Sequence, residues 1–600
     1  MTDAEDSAAR DSVGRPPAAL LGPIRLAIGL FQGLALWWLH WTSDGVTGWP
    51  WPPETFLPLL LIFAFVPVLL LAGVGRMRWP TLAAWIAVAT ALLALMGWHE
   101  VARQSADALH SPPYISGPMP LFAVAALFIG HHLVLAADMA RRWIAPFPVY
   151  FDTVWKAAVQ LALSLGFTAA FWVLLFLGAA LFRIIGLDFL ETLTRQNWFY
   201  VPVTTLAFAL AVHLTDVRDG LIRGVRTVGL MLLSWLLLVM TVLAAGFVLA
   251  LPFTGLKGLR DTGSATSLVL AAAAALIVLI NAAYQDGRLE NRPPLPLRLA
   301  VQVASLLLLP LIVIAFLGLA LRVGQHGLTP DRIIALACAL VGAVFAVGYA
   351  WASLQTVLRR GEWMRPLEPA TLAGAALAFA LIVALFSPLL DPARLSVADQ
   401  VARLERGAVT PDAFDYAFLG RNSGKVGQAA LARLARSDNP AIRGRAEAAL
   451  ADRRGRPVPV RLADPASLPV ESWPAGTELP ASFSGQRARL AEHLRECRPE
   501  NVCYARVLDV DGDGSEDVLV ADRGFVRVFG LTEGQWGLTA MYTAPQCVGV
   551  GDLGARFRQS APEAAPSVVP DLVLDGLRLR RFEPVRDCTS DPPPPRVQGR

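Results

Sequence analysis

Long apolar runs alternate with short polar segments over the first two thirds of the chain. A bilayer core of about 30 Å requires roughly 20 apolar helical residues. Eleven runs approach this length, near residues 22–41, 54–74, 80–98, 118–138, 155–182, 198–215, 227–252, 264–284, 299–321, 332–354 and 369–390. The pattern predicts an α-helical polytopic membrane protein with about eleven transmembrane helices within residues 22–390.

The segment before the first run does not have the charge of a secretory signal. Its first sixteen residues contain four acids and two arginines, whereas a signal peptide begins with net positive charge. No small-residue cleavage site follows the run. We therefore expect the first run to remain as a span, preceded by a cytoplasmic tail over residues 1–21.

Basic residues are distributed unequally between the two sets of loops. Fifteen lie on the side that includes the N-terminus and seven on the opposite side. Because basic loop residues stay in the cytoplasm, the N-terminus is predicted to be cytoplasmic and the chain after residue 390 to be extracytoplasmic. A cluster of tryptophans at one predicted outer boundary fits an interfacial aromatic belt: Trp37, Trp38, Trp41, Trp49 and Trp51.

The last third of the chain has a different pattern. Residues 391–454 have helical spacing and predict an extracytoplasmic helical segment, for which a small bundle is favoured over helices lying on the membrane surface. Residues 455–482 are rich in proline. Short alternating stretches from residue 502 onwards, with a strand pair within 572–585, predict an extracytoplasmic, mainly β domain over 455–590. The fold class predicted for the C-terminal part is therefore an extracytoplasmic α+β domain. Residues 591–600 are expected to be a disordered tail.

Composition supports this division. Charged residues make up 17% of the whole chain, against about 25% in a typical soluble protein. They account for 11% of residues 1–390 and 27% of residues 391–600, and the net charge of +4 lies entirely in the first part. These values exclude a single soluble enzyme and a disordered chain. The neutral soluble part offers no basic face for nucleic acid.

Four of the five cysteines lie in the C-terminal part: Cys497, Cys503, Cys547 and Cys588. An even number in an oxidising compartment indicates two disulfides. Three pairings are possible, of which Cys497–Cys503 with Cys547–Cys588 is preferred on proximity alone. Reduced thiols in a cytoplasmic tail are the alternative.

One acidic loop carries the strongest chemical signal. Ca²⁺ prefers six to eight oxygen ligands in a tightly curled loop, and residues 509–517 supply carboxylates, a serine carbonyl and two glycines. The predicted ligands are Asp509, Asp511, Asp513, Ser515 and Asp517. The twelfth position, where an EF-hand requires glutamate, is Val520. An acidic turn without an ion is the alternative.

The stretch VLDVDGDGSEDVLVAD resembles the DxDxDGxxD loop of FG-GAP-type repeats, which are β-propeller blade repeats. The resemblance covers about 30 residues, which is one repeat, so a closed propeller is not expected. It implies a bound Ca²⁺ ion with a structural role.

Ionisable and polar residues inside the predicted spans are costly to bury and are therefore functional candidates. They cluster near the cytoplasmic side and could line one cytoplasm-facing cavity: His131, His132, His213, Asp216 and Asn281. The alternative is hydrogen bonding between helices. At the outer face, one short loop is predicted to hold Arg183, Asp188 and Glu191, where acid/base catalysis competes with capping and ion pairing.

The membrane part contains four distinctive stretches: FRIIGLDFLETL, DTGSATSLVLAAAAALIVLINAAYQDG, GLTPDRIIAL and SPLLDPARLSVADQVARL. Together they resemble a family of bacterial polytopic membrane proteins classed as domain of unknown function 4153. The resemblance covers about residues 150–410. It implies a bacterial inner-membrane protein and supplies no catalytic residues.

Three functions remain open from the sequence. The first is a non-enzymatic inner-membrane protein in contact with the lipid bilayer, whose periplasmic domain binds Ca²⁺ and an envelope protein or glycan partner. The second is a transporter or permease that uses the buried His/Asp layer. The third is a polytopic enzyme acting on a lipid-linked substrate, for which a deep outer groove lined by Asp44, Asp188 or Glu191 is expected.

Overall fold

A computed structural model describes most of the chain. The described residues are 18–43, 49–104, 118–217, 219–254, 265–359, 363–421, 423–454, 469–486, 490, 493–494, 497, 502–510, 512–522, 524–532, 534–543, 553–560, 562, 572–574 and 577–579. The N-terminal tail and the predicted disordered tail at 591–600 lie outside them. The chain divides into two compact units, Met1–Arg456 and Pro457–Arg600.

The first unit is built from long apolar helices. Twelve helices precede residue 386: α1 (Ala18–Ser43), α2 (Phe56–Gly73), α3 (Trp79–Ala102), α4 (Met119–Ala140), α5 (Phe147–Ile184), α6 (Phe189–Thr194), α7 (Asn197–Val217), α8 (Asp219–Thr254), α9 (Ala265–Tyr284), α10 (Leu295–His326), α11 (Pro330–Arg359) and α12 (Leu367–Leu385). Within the described chain, eleven of them are long and apolar enough to cross a membrane, all except α6. The polytopic membrane fold predicted from the sequence is confirmed.

Proline marks the start of several spans. Pro80, Pro120 and Pro148 occupy the first two positions of α3, α4 and α5. A helix has no internal partner for the N–H groups of its first turn, so proline is tolerated there and its fixed φ favours the helix. Short connections between most spans make consecutive spans alternate in direction. The starts of α1, α3 and α5 therefore lie on one side of the unit, which we call the basic side because most loop arginines lie there.

Two apolar cores hold the spans together. One joins α2, α3 and α4 to parts of α11 and α12, with Leu57, Leu93 and Ala123 fully buried. The other joins α5, α8, α9, α10, α11 and α12 around residues such as Leu276 and Leu308. Because α11 and α12 contribute to both cores, they connect the two groups of helices.

Four short helices follow the spans in the same unit: α13 (Pro392–Glu405), α14 (Tyr416–Arg421), α15 (Gly424–Leu434) and α16 (Pro440–Arg454). They form a bundle with its own core, in which Leu419, Leu431 and Ala446 are fully buried. The carboxylate of Asp391 accepts a hydrogen bond from the Ala393 N–H and caps α13. The bundle contacts the side opposite the basic side, where Asp399 accepts a hydrogen bond from the Leu328 N–H.

The second unit contains a five-stranded sheet in the order β1-β2-β3-β4-β5. Its elements are β1 (Val470–Ser472), α17 (Ala481–Gly485), β2 (Cys503–Leu508), β3 (Asp517–Ala521), β4 (Phe525–Thr532), β5 (Gln535–Thr543), α18 (Leu553–Gln559), β6 (Leu572–Leu574) and β7 (Leu577–Leu579). β1 pairs with β2 in parallel, and β2 to β5 form an antiparallel meander. Phe483, Phe529 and Trp536 fill the core on one face. β6 and β7 form the strand pair that the sequence predicts.

Candidate functional site

An ion cluster inside the membrane part lies at the ends of α1 and α7 on the basic side. The Arg25 guanidinium donates a 2.6 Å hydrogen bond to Oδ2 of Asp216, and Arg76 donates one of 2.5 Å to Oδ1. Arg25 is 1% exposed and also donates to the carbonyl of Val74. One carboxylate therefore faces two guanidinium groups, and Lys156 lies 3.8 Å from the same carboxylate.

Close packing of α1 against α7 brings Arg25 to this position. A Cβ on Gly33 would lie 2.3 Å from Cα of Pro202, and a Cβ on Gly29 would lie 2.5 Å from Cβ of Ala209. These glycines recur at helical spacing on the same face as Arg25. Only a face without side chains allows the two backbones to approach this closely.

Gln160 joins the ion cluster to the interior of the helix bundle. Its Oε1 accepts a 2.7 Å hydrogen bond from Arg76, and its Nε2 donates to the carbonyl of Val212 at 3.0 Å. Arg76 and Gln160 together form the polar end of a cavity of about 150 Å³ between α2, α4, α5 and α7. The remainder of this cavity, which we call the histidine cavity, is lined mainly by apolar side chains.

His131 and His132 of α4 also line the histidine cavity. They are 3% and 4% exposed, so protein surrounds most of each ring. Both ring nitrogens of His131 and Nδ1 of His132 have no hydrogen-bond partner among the described residues. Buried polar groups without partners cost free energy, which makes these two rings the strongest candidates for contact with a ligand.

A second cavity, of about 230 Å³, adjoins the first and shares Phe128 and His132 with it. The two rings lie edge to face with their centroids 4.5 Å apart. Asn281 lines this second cavity, but its Nδ2 already donates to Tyr349 at 2.6 Å and to the Ile277 carbonyl at 2.8 Å. Within the described residues, a third cavity of about 480 Å³ between α9, α10, α11 and α12 is apolar apart from Cys338.

The structure thus distributes the predicted intramembrane residues over three environments. His131 and His132 line the histidine cavity, and Asn281 lines its neighbour with His132. His213 and Asp216 belong to the ion cluster and do not line either cavity: His213 packs over Gly22 and lies 3.5 Å from Arg25. The transporter hypothesis predicted from the sequence needs His213 and Asp216 to face a water-filled cavity, and neither residue lines these two cavities.

Sequence reasoning missed three residues of the site. Arg25 lies near the start of the first predicted span, and Arg76 is one of the fifteen basic loop residues that orient the chain. Gln160 was not singled out. An arginine seven residues inside a helix of high hydropathy was the available signal, because such a charge requires a buried partner.

The outer-face residues do not share one loop. Arg183 lies in the last turn of α5, Asp188 precedes α6 and Glu191 lies within α6. Residues 190–194, which follow Phe189, belong to helix α6, so the loop between α5 and α6 is shorter than the sequence predicts. Glu191 pairs with Arg183 at 3.2 Å and with Arg195 at 2.7 Å. Neither Asp188 nor Glu191 lines any of the three cavities above, and Asp44 lies outside the described residues.

The acidic loop of the second unit curls around Asp509. Its carboxylate accepts hydrogen bonds from the N–H groups of Gly512 and Gly514 at 2.7 and 3.0 Å, and both glycines have positive φ. Asp517 accepts from the Val510 N–H, and Asp513 from the Ser515 N–H. Asp511 lies outside the described residues, within which no group of three or more His, Cys, Asp or Glu residues is placed to hold a metal.

A disulfide joins Cys497 to Cys503, as the preferred pairing predicts. Both cysteines are buried, and they contribute to the core beside β2. Cys547 and Cys588 lie outside the described residues. Cys338, inside α11, is a free thiol.

The eleven apolar helices and the buried ion cluster define a polytopic α-helical membrane protein. The chain belongs to the family described as a domain of unknown function (DUF4153), whose profile matches residues 56–434. The match begins at α2 and extends through α15, beyond both ends of the resemblance noted in the sequence. No curated protein and no solved structure matches the chain.

Proposed function

We propose that this protein is an inner-membrane transport protein whose ligand occupies the histidine cavity. The observation that carries the proposal is the pair of buried rings, His131 and His132, with three ring nitrogens that lack a partner among the described residues. A polar ligand would supply the missing hydrogen bonds. Polar groups kept at this depth in a span commonly mark a substrate pathway.

The distribution of polarity within the cavity supports access from the basic side. Arg76 follows the basic-side end of α2 directly, whereas Phe65 and Phe208 lie about 12 to 14 Å deeper along their helices. By the positive-inside rule the basic side is cytoplasmic. The ligand therefore enters from the cytoplasm, and the cavity is the inward-facing state of an alternating-access cycle.

Thiol accessibility tests this function. In a Cys338→Ser background, His131→Cys and His132→Cys should react with a charged, membrane-impermeant thiol reagent at least tenfold faster in inverted vesicles than in right-side-out vesicles. Leu135→Cys on the same helix is the matched control, because Leu135 is fully buried in the apolar core. Equal, slow labelling of all three variants from both sides would reject a hydrated transport cavity.

A second function concerns the C-terminal unit, which we propose to be a periplasmic module of a bacterial inner-membrane protein. Its acidic loop binds one structural Ca²⁺ ion through Asp509, Asp511, Asp513, Ser515 and Asp517. The curled backbone at Gly512 and Gly514 supports this proposal, since Ca²⁺ loops require such a bend. The disulfide supports an oxidising compartment. The ordered module then contacts an envelope protein or glycan.

Calcium binding and orientation have separate tests. Chelator should lower the melting temperature of the full chain, because an ion that binds only the folded state stabilises it. Asp513→Ala should remove this response, whereas Glu478→Ala, an exposed acid of the same unit, should retain it. A melting curve insensitive to chelator would exclude the ion.

Alkaline phosphatase fused after Arg600 should be active, and an inactive fusion would place this end inside the cell.

A further inference from the structure

The polar end of the histidine cavity carries excess positive charge. Arg25 and Arg76 both bind the single carboxylate of Asp216, so one guanidinium charge is not balanced within this trio. Arg25 is buried behind the cavity, whereas Arg76 contributes to its lining. The low dielectric of the membrane interior strengthens the attraction of this charge for an anion.

The groups that line this end are hydrogen-bond donors or can act as donors. Arg76 has only donors, Gln160 has an amide, and each histidine ring carries at least one N–H. No carboxylate is among the described lining residues. The nearby acids on α4 and α5, Asp138 and Asp152, bind Arg78 and Arg226 instead. Among the described residues, these two acids therefore do not cancel the charge of the cavity.

The walls of the histidine cavity beyond its polar end are apolar. Leu69 of α2, Leu127 of α4, Leu161 of α5 and Phe208 of α7 face the same space. A free inorganic anion would leave these side chains without contact. An apolar chain attached to the anion would bury them and gain the hydrophobic contribution.

We propose that the histidine cavity binds an amphiphile with a phosphate group at Arg76, His131 and His132 and an apolar chain along α2 and α7. This inference rests on the transport function above and names its substrate class. A long chain would extend toward the 230 Å³ cavity, which shares Phe128 and His132 with the first among the described residues.

Binding to the purified full chain in nanodiscs of a zwitterionic phospholipid tests the proposal. Hexyl phosphate should bind saturably by isothermal titration calorimetry, and hexyltrimethylammonium and hexanol at least tenfold more weakly. Inorganic phosphate shows whether the ligand is a free anion or an anion attached to an apolar chain. Affinity equal to that of hexyl phosphate would mean that the apolar walls contribute nothing, and would overturn the amphiphile. Equal binding of the cationic and anionic probes would overturn the anion site.

Variants locate the binding within the cavity. Arg76→Gln should weaken hexyl phosphate binding at least tenfold, since a charge-assisted contact is lost. Arg78→Gln, which removes a neighbouring arginine bound to Asp138 outside the cavity, should leave affinity unchanged. If Arg76→Gln fails to fold, His131→Leu provides the same test without disturbing Asp216. Unchanged affinity in the folded cavity variants would overturn the proposal.

The transport function can fail independently. If thiol labelling shows no cytoplasmic access but hexyl phosphate still binds through Arg76, the cavity is a fixed lipid site and only transport is rejected. If labelling shows access but the three hexyl probes bind alike, the phosphate class is rejected and the hydrated cavity remains.

Discussion

Arg25 and Asp216, separated by 191 positions in the sequence, form a hydrogen-bonded ion pair of 2.6 Å inside the membrane part. Arg25 belongs to the first span and Asp216 to the end of α7, so the pair fastens α1 to a helix far along the chain. Arg76 contacts the other oxygen of the same carboxylate. The ion cluster thus connects three segments. Its Arg76 also contributes to the lining of the histidine cavity.

Removing the carboxylate should destabilise the protein strongly. Asp216→Asn leaves the buried Arg25 without a counter-charge, and breaking a buried pair in this way costs about 3–5 kcal/mol. Thermal denaturation of the purified protein in detergent measures the loss. The double variant Arg25→Gln/Asp216→Asn should lose less than the sum of the two single variants. Glu191→Gln, in an exposed pair, is the control, and an effect of similar size there would argue against a special role for the buried pair.

The glycine face of α1 should not tolerate a large side chain. Gly33→Leu places atoms against the backbone of Pro202, which cannot move aside, and overpacking of this kind costs about 3 kcal/mol. The melting temperature and the fraction of monodisperse protein after extraction measure the effect. Gly166→Leu is the matched control, because nothing lies within 4 Å of a Cβ placed there. Comparable losses in the two variants would contradict close packing of α1 on α7.

Arg403 should anchor the helical bundle to the spans. Its guanidinium donates hydrogen bonds to the carbonyls of Val323, Gly324 and Gln325 in the last turn of α10, at 2.9 to 3.3 Å. The last carbonyls of a helix generally lack intrahelical partners; here the carbonyl of Val323 also accepts a hydrogen bond from the Gly327 N–H. Arg403→Ala should therefore increase amide hydrogen exchange in residues 392–405 several-fold. Arg394→Ala, an exposed arginine of the same helix, should change it little, and identical exchange in both variants would refute the anchor.

The disulfide should stabilise the C-terminal unit. Closing a loop of about seven residues restricts the unfolded chain and contributes about 2 kcal/mol. Cys497→Ala/Cys503→Ala should lower the unfolding midpoint of this unit in urea, and reductant should do the same to the unaltered chain. The double variant should no longer respond to reductant. A residual response would indicate a further disulfide, for which Cys547 and Cys588 are the candidates.

The sequence predicts the coarse architecture well, because spans depend on local composition. About 20 consecutive apolar residues cannot remain in water, so the number of spans and most of their extents follow from the pattern alone. The strand pair near residue 572 and the helical segment over residues 391–454 also follow from local signals. Arg183, Asp188 and Glu191 show the limit: their segment forms a helix end and a short helix where a loop was expected.

The histidine pair could be found from sequence because a polar residue in an apolar run is conspicuous. The residues that surround the pair could not be predicted from the sequence. Gln160 looks like any polar residue of α5 until the structure places it 2.7 Å from Arg76. Likewise, Asn281 has the same sequence signal as His132, but its amide is satisfied by Tyr349 whereas the ring Nδ1 of His132 has no described partner.

The sequence by itself determined that this chain is a polytopic membrane protein with about eleven candidate spans and a C-terminal unit richer in charged residues, because hydropathy acts along contiguous residues. Only the tertiary structure decided which buried charges meet and which face a cavity. Arg25, Arg76 and Asp216 come from segments up to 191 residues apart, and their meeting depends on the packing of α1 against α7. Packing also separates His213 and Asp216, which belong to the ion cluster, from His131 and His132, whose rings remain available to a ligand.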